Sequence, residues 1–190
     1  MVAIKVLDKS YLKEKHRKRR VFQEIYILKK LRHNNITRLL EVFEAKNHLM
    51  IVMEYADSGD ALALSKKNFI GLSEAEVKNI FHQVVHGIGH LHCRSIAHRD
   101  IKLENIMLIE DPNSLSYKVK IGDFGISRIV KKEESLNESC GTPAYLAPEI
   151  VLNRPYNGMK VDMWCLGILL YSLAYGCQPF KAKTIEELQA

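Results

Sequence analysis

A chain of 190 residues that is 47% hydrophobic and 26% charged has ordinary globular composition, with length for one good core or two small lobes. Its net charge of +6 mildly favours acidic partners, although much of the excess sits in one run, Lys13 to Arg20. Cys93, Cys140, Cys165 and Cys177 form no C-x-x-C pair and read as reduced thiols of an intracellular protein. The start, Val2-Ala3-Ile4-Lys5-Val6, is charged too early for an export segment, and Met163 to Tyr175 is too short to span a bilayer, so no membrane partner is expected.

Val2 to Leu7 reads as a strand. Arg17 to Leu31 reads as a helix, because Val21, Ile25, Leu28 and Leu31 recur at helical spacing. Glu24 lies among them. A lone acid beside an apolar face is normally a boundary residue, but Lys5 on the preceding strand is a candidate partner. Leu39 to Phe43 and His48 to Met53 read as strands joined by Ala45-Lys46-Asn47, and Asp57-Ser58-Gly59-Asp60 is a turn cluster and candidate hinge.

Ser73 with Glu76 is a capping-box pattern opening a long helix, whose expected buried stripe is Phe81, Val84, Val85, Ile88 and Leu91. His82, His86 and His90 fall opposite that stripe. With no carboxylate or cysteine joining them at a useful spacing, a solvated face is the stronger reading than a zinc site. Strands are expected at Ile106 to Ile109 and Lys118 to Ile121, with turn chemistry at Asp111-Pro112-Asn113-Ser114 between them. Residues 130 to 141 are polar and expected to be mobile. Lys160 to Tyr175 reads as a helix buried on most sides, and a further helix is expected after Thr184.

The chemistry concentrates in His98-Arg99-Asp100-Ile101-Lys102-Leu103-Glu104-Asn105. Asp100 could take a proton from a hydroxyl. Lys102 could neutralise charge building on a transferred phosphoryl group. Asn105 could hold a divalent cation, since hard cations prefer oxygen ligands. Phosphoryl transfer needs positioning and charge neutralisation more than covalent help, and these residue types suit it. Asp123-Phe124-Gly125 adds a second acid, with a glycine that lets the chain turn sharply and leaves Asp123 free to face a cation.

Val2-Ala3-Ile4-Lys5, Glu24, His98-Arg99-Asp100 with Asn105, Asp123-Phe124-Gly125 and Ala147-Pro148-Glu149 follow one another at set separations. Their order and spacing resemble those of the eukaryotic protein kinases. The local wording is similar to the calcium/calmodulin-dependent and AMP-activated group of Ser/Thr kinases. The resemblance implies an α+β, bilobal protein-kinase-like fold. Residues 1–54 would be a partial small β lobe lacking its first two strands, 55–59 a hinge, and 60–190 a partial, mainly helical large lobe lacking its last helices.

By the same resemblance, the cofactors are ATP and magnesium, and the partner is a protein substrate offering Ser or Thr. Lys5 would hold the α- and β-phosphates and pair with Glu24. Asp100 would accept the hydroxyl proton, Lys102 would contact the γ-phosphate, and Asn105 with Asp123 would hold magnesium. Glu54 to Ala56 would offer backbone groups to adenine, Met53 would be gatekeeper, and Ala3 and Met107 would sandwich the ring. Leu28, Leu40, His98 and Phe124 would stack into a column anchored by Asp162. Lys102 and Thr142 flanking Asp100 imply Ser/Thr specificity. Asp60, counted also with the nucleotide-binding residues, and Glu104 match acidic positions that meet basic residues upstream of the target hydroxyl.

Glu138 occupies the position where the family carries its activating phosphothreonine. Arg20, Arg99 and Arg128 are expected to face the same place. Three guanidiniums in one pocket repel and need an anion. A carboxylate supplies one charge where a phosphate supplies nearly two, so Glu138 would partly replace activating phosphorylation. The other reading is a loop glutamate in solvent. The basic run could be a nucleic-acid or nuclear-import patch, but without interleaved aromatics it reads as the exposed start of the helix carrying Glu24.

The Gly-rich loop expected upstream of Lys5 and the Arg expected to pair with Glu149 are both outside the chain. A truncated product is therefore expected, with an exposed sheet edge and Glu149 as an unpaired buried charge. The leading function is an ATP-dependent Ser/Thr protein kinase, cytoplasmic with the nucleus as a second compartment. The alternative is a catalytically weak kinase-like binding or regulatory module.

Overall fold

Strand β1 (Val2–Asp8) alternates outward Val2, Ile4 and Val6 with inward Ala3, Lys5 and Leu7, the period of a half-buried strand. The computed structural model describes residues 1–68, 71–111, 116–131, 134–180 and 187–188. β1 pairs antiparallel with β3 (His48–Glu54), placing Ala3 opposite Met53 and Lys5 opposite Ile51. β2 (Leu39–Glu44) pairs on the other side of β3, giving the order β1-β3-β2. β1 is thus an edge strand, with Val2, Ile4 and Val6 exposed on its outer face. Helix α1 (Lys15–Lys30) lays Val21 and Ile25 against Leu49 and Ile51 in a small core of their own. Lys29 and Lys30 in its last turn suit the negative end of the helix dipole.

The larger core forms around helices α3 (Glu74–His92) and α5 (Gly158–Tyr175). Both halves of the Ser73–Glu76 capping box are present: the Ser73 N–H donates to Glu76 Oε2 at 2.9 Å and the Glu76 N–H donates to Ser73 Oγ at 3.4 Å. The buried stripe is Val77, Ile80, Val84, Gly87, Ile88 and Leu91. Val85, expected in it, is exposed because it lies one helical step round from Val84. Gly87 faces strand β6 (Tyr117–Ile121), where an added Cβ would collide with the Ile121 side chain. Gln83 fixes the same strand, donating to the Tyr117 carbonyl at 2.7 Å and accepting from the Val119 N–H at 3.0 Å. β6 closes a hairpin with β5 (Ile106–Glu110); its turn, Pro112 to Leu115, lies outside the described residues.

Asn157 caps α5, accepting from the Met159 and Lys160 N–H groups, and Gly176 ends it with φ of 66°. The burial expected on most sides is confined to one side. Val161, Asp162, Cys165, Leu169 and Leu173 are covered by α2, α3 and β4, while Met163, Leu170, Tyr171 and Tyr175 stay exposed. A helix and a strand pairing have no sequence expectation. One is α2 (Ala61–Lys67), capped by Asp60, which accepts from the Ala63 N–H at 2.7 Å. The other is a two-residue pairing of β4 (Ile96–Ala97) with β7 (Arg128–Ile129). A short helix α4 (Pro148–Val151) starts at Pro148.

The stretch expected to be mobile is fastened where it is described: Leu136 is buried and exchanges both backbone bonds with Tyr156. Glu149 is only partly buried, short of the buried charge expected for it. His82 and His86 are exposed, and no group of three metal-capable ligands occurs among the described residues. Among the same residues no helix is long and apolar enough to cross a membrane. The helix expected after Thr184 falls on residues described only at 187–188. The three-stranded sheet is tied to the large core by backbone bonds between residues 35–37 and Ile121, and Ser58 and Gly59 bond to Leu108. These ties set where Lys5 sits relative to Asp123.

Candidate active site

Two non-glycine residues at the core of the site have left-handed backbones, Arg99 with φ of 68° and Asp123 with φ of 53°. Such residues cost about 1 kcal/mol or more and persist only where their surroundings fix them. For Arg99 the fixing group is Asp162, fully buried on α5. It accepts from the His98 N–H at 2.9 Å, the Arg99 N–H at 2.8 Å and His92 Nε2 at 2.8 Å. His98 is also fully buried; its Nε2 meets the Gly122 carbonyl at 3.0 Å and its ring packs edge-on to Phe124 at 5.0 Å. The acceptor carbonyl assigns the proton to Nε2, leaving Nδ1 to accept from the Asp100 N–H at 3.3 Å. One helix carboxylate and one imidazole thus tie the loop of Asp100 to the loop of Asp123.

Both carboxylate oxygens of Asp100 have partners. Thr142 Oγ1 donates to Asp100 Oδ1 at 3.0 Å, and Lys102 Nζ lies 2.9 Å from both Asp100 Oδ2 and Thr142 Oγ1. Asn105 Nδ2 donates to the Asp100 carbonyl at 2.8 Å and to Oδ2 at 3.1 Å. Both of these bonds use the amide nitrogen, so Asn105 Oδ1 is left for other work. Asp123 is exposed and accepts from the Gly125 N–H through Oδ1. The oxygen donors of Asn105 and Asp123 fit a hard divalent cation. Lys5 Nζ reaches both oxygens of the buried Glu24, at 2.8 and 2.9 Å. Lys5, Glu24, Asp100 and Asp123 line one cavity of about 300 Å³.

Beside it lies a pocket lined by Arg20, Arg99, Arg128 and Glu138. Arg99 Nη1 donates to Glu138 Oε2 at 2.9 Å and Arg128 Nη1 to Oε1 at 3.0 Å. The Arg99 hydrogen bond, reinforced by the charges of Arg99, Arg128 and Arg20, holds the Glu138 carboxyl below the usual range. Burial and then Cys140 push the Tyr156 phenol up to about 12, so it stays protonated and donates to the Glu138 carbonyl at 2.8 Å.

Over residues 1–190 the chain matches the protein kinase domain family. The chain belongs to that family. It is 41% identical over 181 residues to NUAK family SNF1-like kinase 1 of Homo sapiens, covering 95% of this chain and 26% of that protein. It is 39% identical over 192 residues to the serine/threonine-protein kinase SIK3 homolog of Danio rerio, covering 100% of this chain and 15% of that one. Protein kinase domain-containing protein ppk9 of Schizosaccharomyces pombe is 39% identical over 187 residues, with 98% of this chain and 34% of that protein covered. The chain therefore spans only a minor part of the relatives it matches.

Among the residues expected to meet a nucleotide, Ala3 faces Met53 across β1 and β3, and Met107 bridges to Asp60. Glu54 gives its N–H to the Arg38 carbonyl and its side chain to Lys120 at 2.9 Å, while the Ala56 N–H bonds to nothing among the described residues. Asp60 uses Oδ1 as the cap of α2. Glu104 keeps one buried oxygen, Oε2, without a hydrogen-bond partner. The expected hydrophobic column needs one correction. Leu28, His98 and Phe124 are buried, but Leu40 is 47% exposed. The β2–β3 register shifts between Leu39 and Glu41, so Leu40 is the extra residue of a bulge and Leu39 packs inward instead. The polar supports His92, Tyr156 and Ser127, whose hydroxyl bonds the His98 carbonyl at 3.1 Å, had no sequence expectation. They come from separate stretches of chain, and no local pattern marks them.

Proposed function

We propose that this chain transfers the γ-phosphoryl group of ATP to a serine or threonine hydroxyl of a protein, with magnesium. The observation carrying the reading is that Asp100, held by Thr142 and Lys102, lines one cavity with Asp123 and the Lys5–Glu24 pair. Asp100, oriented by Asn105 and Thr142, accepts the proton of the incoming hydroxyl. Lys102 places its charge beside that proton transfer, where negative charge builds on the phosphoryl oxygens. Glu24 holds the Lys5 ammonium towards the nucleotide phosphates. Asn105 and Asp123 would hold magnesium, which supplies charge neutralisation on the phosphates.

Finer points follow on the same footing. The unpartnered Glu104 oxygen supports a substrate with a basic residue upstream of the hydroxyl, with Asp60 as a second acid. The double guanidinium contact of Glu138 supports a site that needs no activating phosphate. Exposed free thiols at Cys93 and Cys177 suit a reducing cytoplasmic or nuclear compartment.

The test pairs magnesium-dependent ATP binding, read by thermal shift, with transfer of radiolabelled phosphate to a Ser/Thr peptide library. Asp100→Asn should abolish transfer and keep binding. Thr142→Val should lower transfer about tenfold or more while Thr142→Ser retains it. ATP binding with no transfer by the wild-type chain would favour a kinase-like binding module instead.

A further inference from the structure

The loop between α1 and β2 carries the backbone bonds that tie the three-stranded sheet to the large core, and Asn35 is its centre. The Asn35 carbonyl accepts from the Ile121 N–H at 2.9 Å. Its side-chain amide donates to Gln83 Oε1 at 3.0 Å and to the Val119 carbonyl at 3.2 Å. The Thr37 N–H donates to the Ile121 carbonyl at 2.9 Å. Ile121 stands just before Gly122 and Asp123, so what holds Asn35 also holds the approach to the site.

Asn35 is itself held by a histidine: its backbone N–H donates to His33 Nδ1 at 3.1 Å. The His33 ring packs on His90 of α3 with centroids 4.6 Å apart. Arg94, just past the end of α3, reaches His90 Nδ1 through Nη1 at 3.2 Å. A backbone N–H and a guanidinium only donate, so both Nδ1 atoms accept, and both rings are neutral with the proton on Nε2. The Nε2 of His90 is buried and finds no acceptor. A proton arriving at either Nδ1 would set two donors face to face and break the bond made there.

Among the described residues no carboxylate offsets such a proton. His86, Arg94 and Lys120 act on His33, and Arg94 and His33 act on His90, each of them a cation or able to become one. His86 stacks in turn on His82 at 4.4 Å, and the nearest acid, Glu54, is already paired with Lys120 at 2.9 Å. Burial first, and these charges second, hold both imidazoles below the ordinary histidine value. We propose that His33 and His90 form a pH-sensitive latch: neutral, they fasten residues 33–37 to α3 and β6, and protonated, they let that loop go. The latch is whole above the unfolded value of about 6.5 and is lost as pH falls through the lowered folded values. It lies apart from the phosphotransfer cavity and does not depend on that reading.

The test is backbone amide exchange of the whole chain, followed by NMR at pH ~7.5 and pH ~5.5 and corrected for the intrinsic pH dependence of exchange. The Thr37 and Ile121 amides should exchange about tenfold or more faster at the lower pH, relative to the amides of the β1–β3 pairing. His33→Asn with His90→Gln keeps an acceptor oxygen at each place and removes the titration, so the two amides should then hold their rates. A wild type whose Thr37 and Ile121 rates do not change would overturn the proposal. So would an acid response that survives in the double variant, where His82, His86, His92 and His98 are intact. The wild-type imidazole Cε1–H signals give a second measurement that needs no variant to fold: His33 and His90 must titrate below about 6.5, together with the change in exchange, and a higher midpoint for both would overturn the latch. Because the readout is exchange, a chain without phosphotransfer can still pass, and a competent kinase can still fail.

Discussion

Arg99 lies one residue before Asp100, and its guanidinium meets the Glu138 carboxylate at 2.9 Å. Glu138 Oε1 is held in turn by Arg128 at 3.0 Å, so the segment leading to Thr142 is pinned beside the loop of Asp100. Glu138→Gln keeps the shape and removes the charge. It should lower phosphotransfer about tenfold, while phosphatase treatment of the wild type changes nothing. Loss of activity with phosphatase and no effect of Glu138→Gln would move the role to a phosphorylated Ser135 or Ser139. The pH dependence has a definite sign. The folded carboxyl is held below its ordinary value, so its contribution is present above the unfolded value of about 4.3 and is lost as pH falls through the lowered folded one. The side chain is 57% exposed, so the contribution is screened and small. The stability gap between wild type and Glu138→Gln should be open at pH ~7 and close on acidification below pH ~4.

Asp162, fully buried, gathers three donors. Asp162→Ala would leave the His98 and Arg99 N–H groups buried and unpaired. Urea unfolding should show a loss of about 3 kcal/mol or more, and phosphotransfer should fall with it because Arg99 loses what holds its left-handed backbone. His92→Ala removes only the outermost donor, whose side chain is 20% exposed, and should cost about 1 kcal/mol. Equal losses for the two variants would mean that Asp162 acts through His92 alone.

Lys5 and Glu24 are an unequal pair. Glu24 is almost fully buried, while 35% of the Lys5 side chain is exposed. Lys5→Met should therefore destabilise the fold by about 2 kcal/mol, chiefly by leaving the Glu24 charge unpaired. Adding Glu24→Gln should recover most of that stability and none of the ATP binding. If ATP binding returned with stability, Lys5 would be a packing residue.

Asp100 with Asn105, and Asp123 before a glycine, were legible as short motifs whose chemistry is local, while Lys5 and Glu24 were legible from the strand and the helix face that carry them. The misreadings share a different cause. Leu40 and Val85 are apolar, but a strand bulge turns one outward and helix periodicity places the other on the flank. Helix α2 is seven residues long, and its one start signal, Asp60, reads in the sequence as a ligand-binding acid. The outer side of α5 reads as core from composition, yet no described element covers Met163 or Tyr175. His92, Tyr156 and Ser127 act only through partners distant in sequence, which no window of residues shows.

Glu104 offers a last test, because one of its oxygens is buried with no donor in reach. A buried acceptor left unpaired costs about 1–3 kcal/mol, and a guanidinium or ammonium arriving with the substrate would remove that cost. Glu104→Ala should therefore raise KM for peptides with an upstream Arg about tenfold or more, with kcat little changed and neutral peptides unaffected. It should also leave stability unchanged or improved, since the orphan oxygen goes with the side chain. A matching KM rise for neutral peptides, or a loss of stability, would show that Glu104 supports the loop of Asp100 instead of reading the substrate.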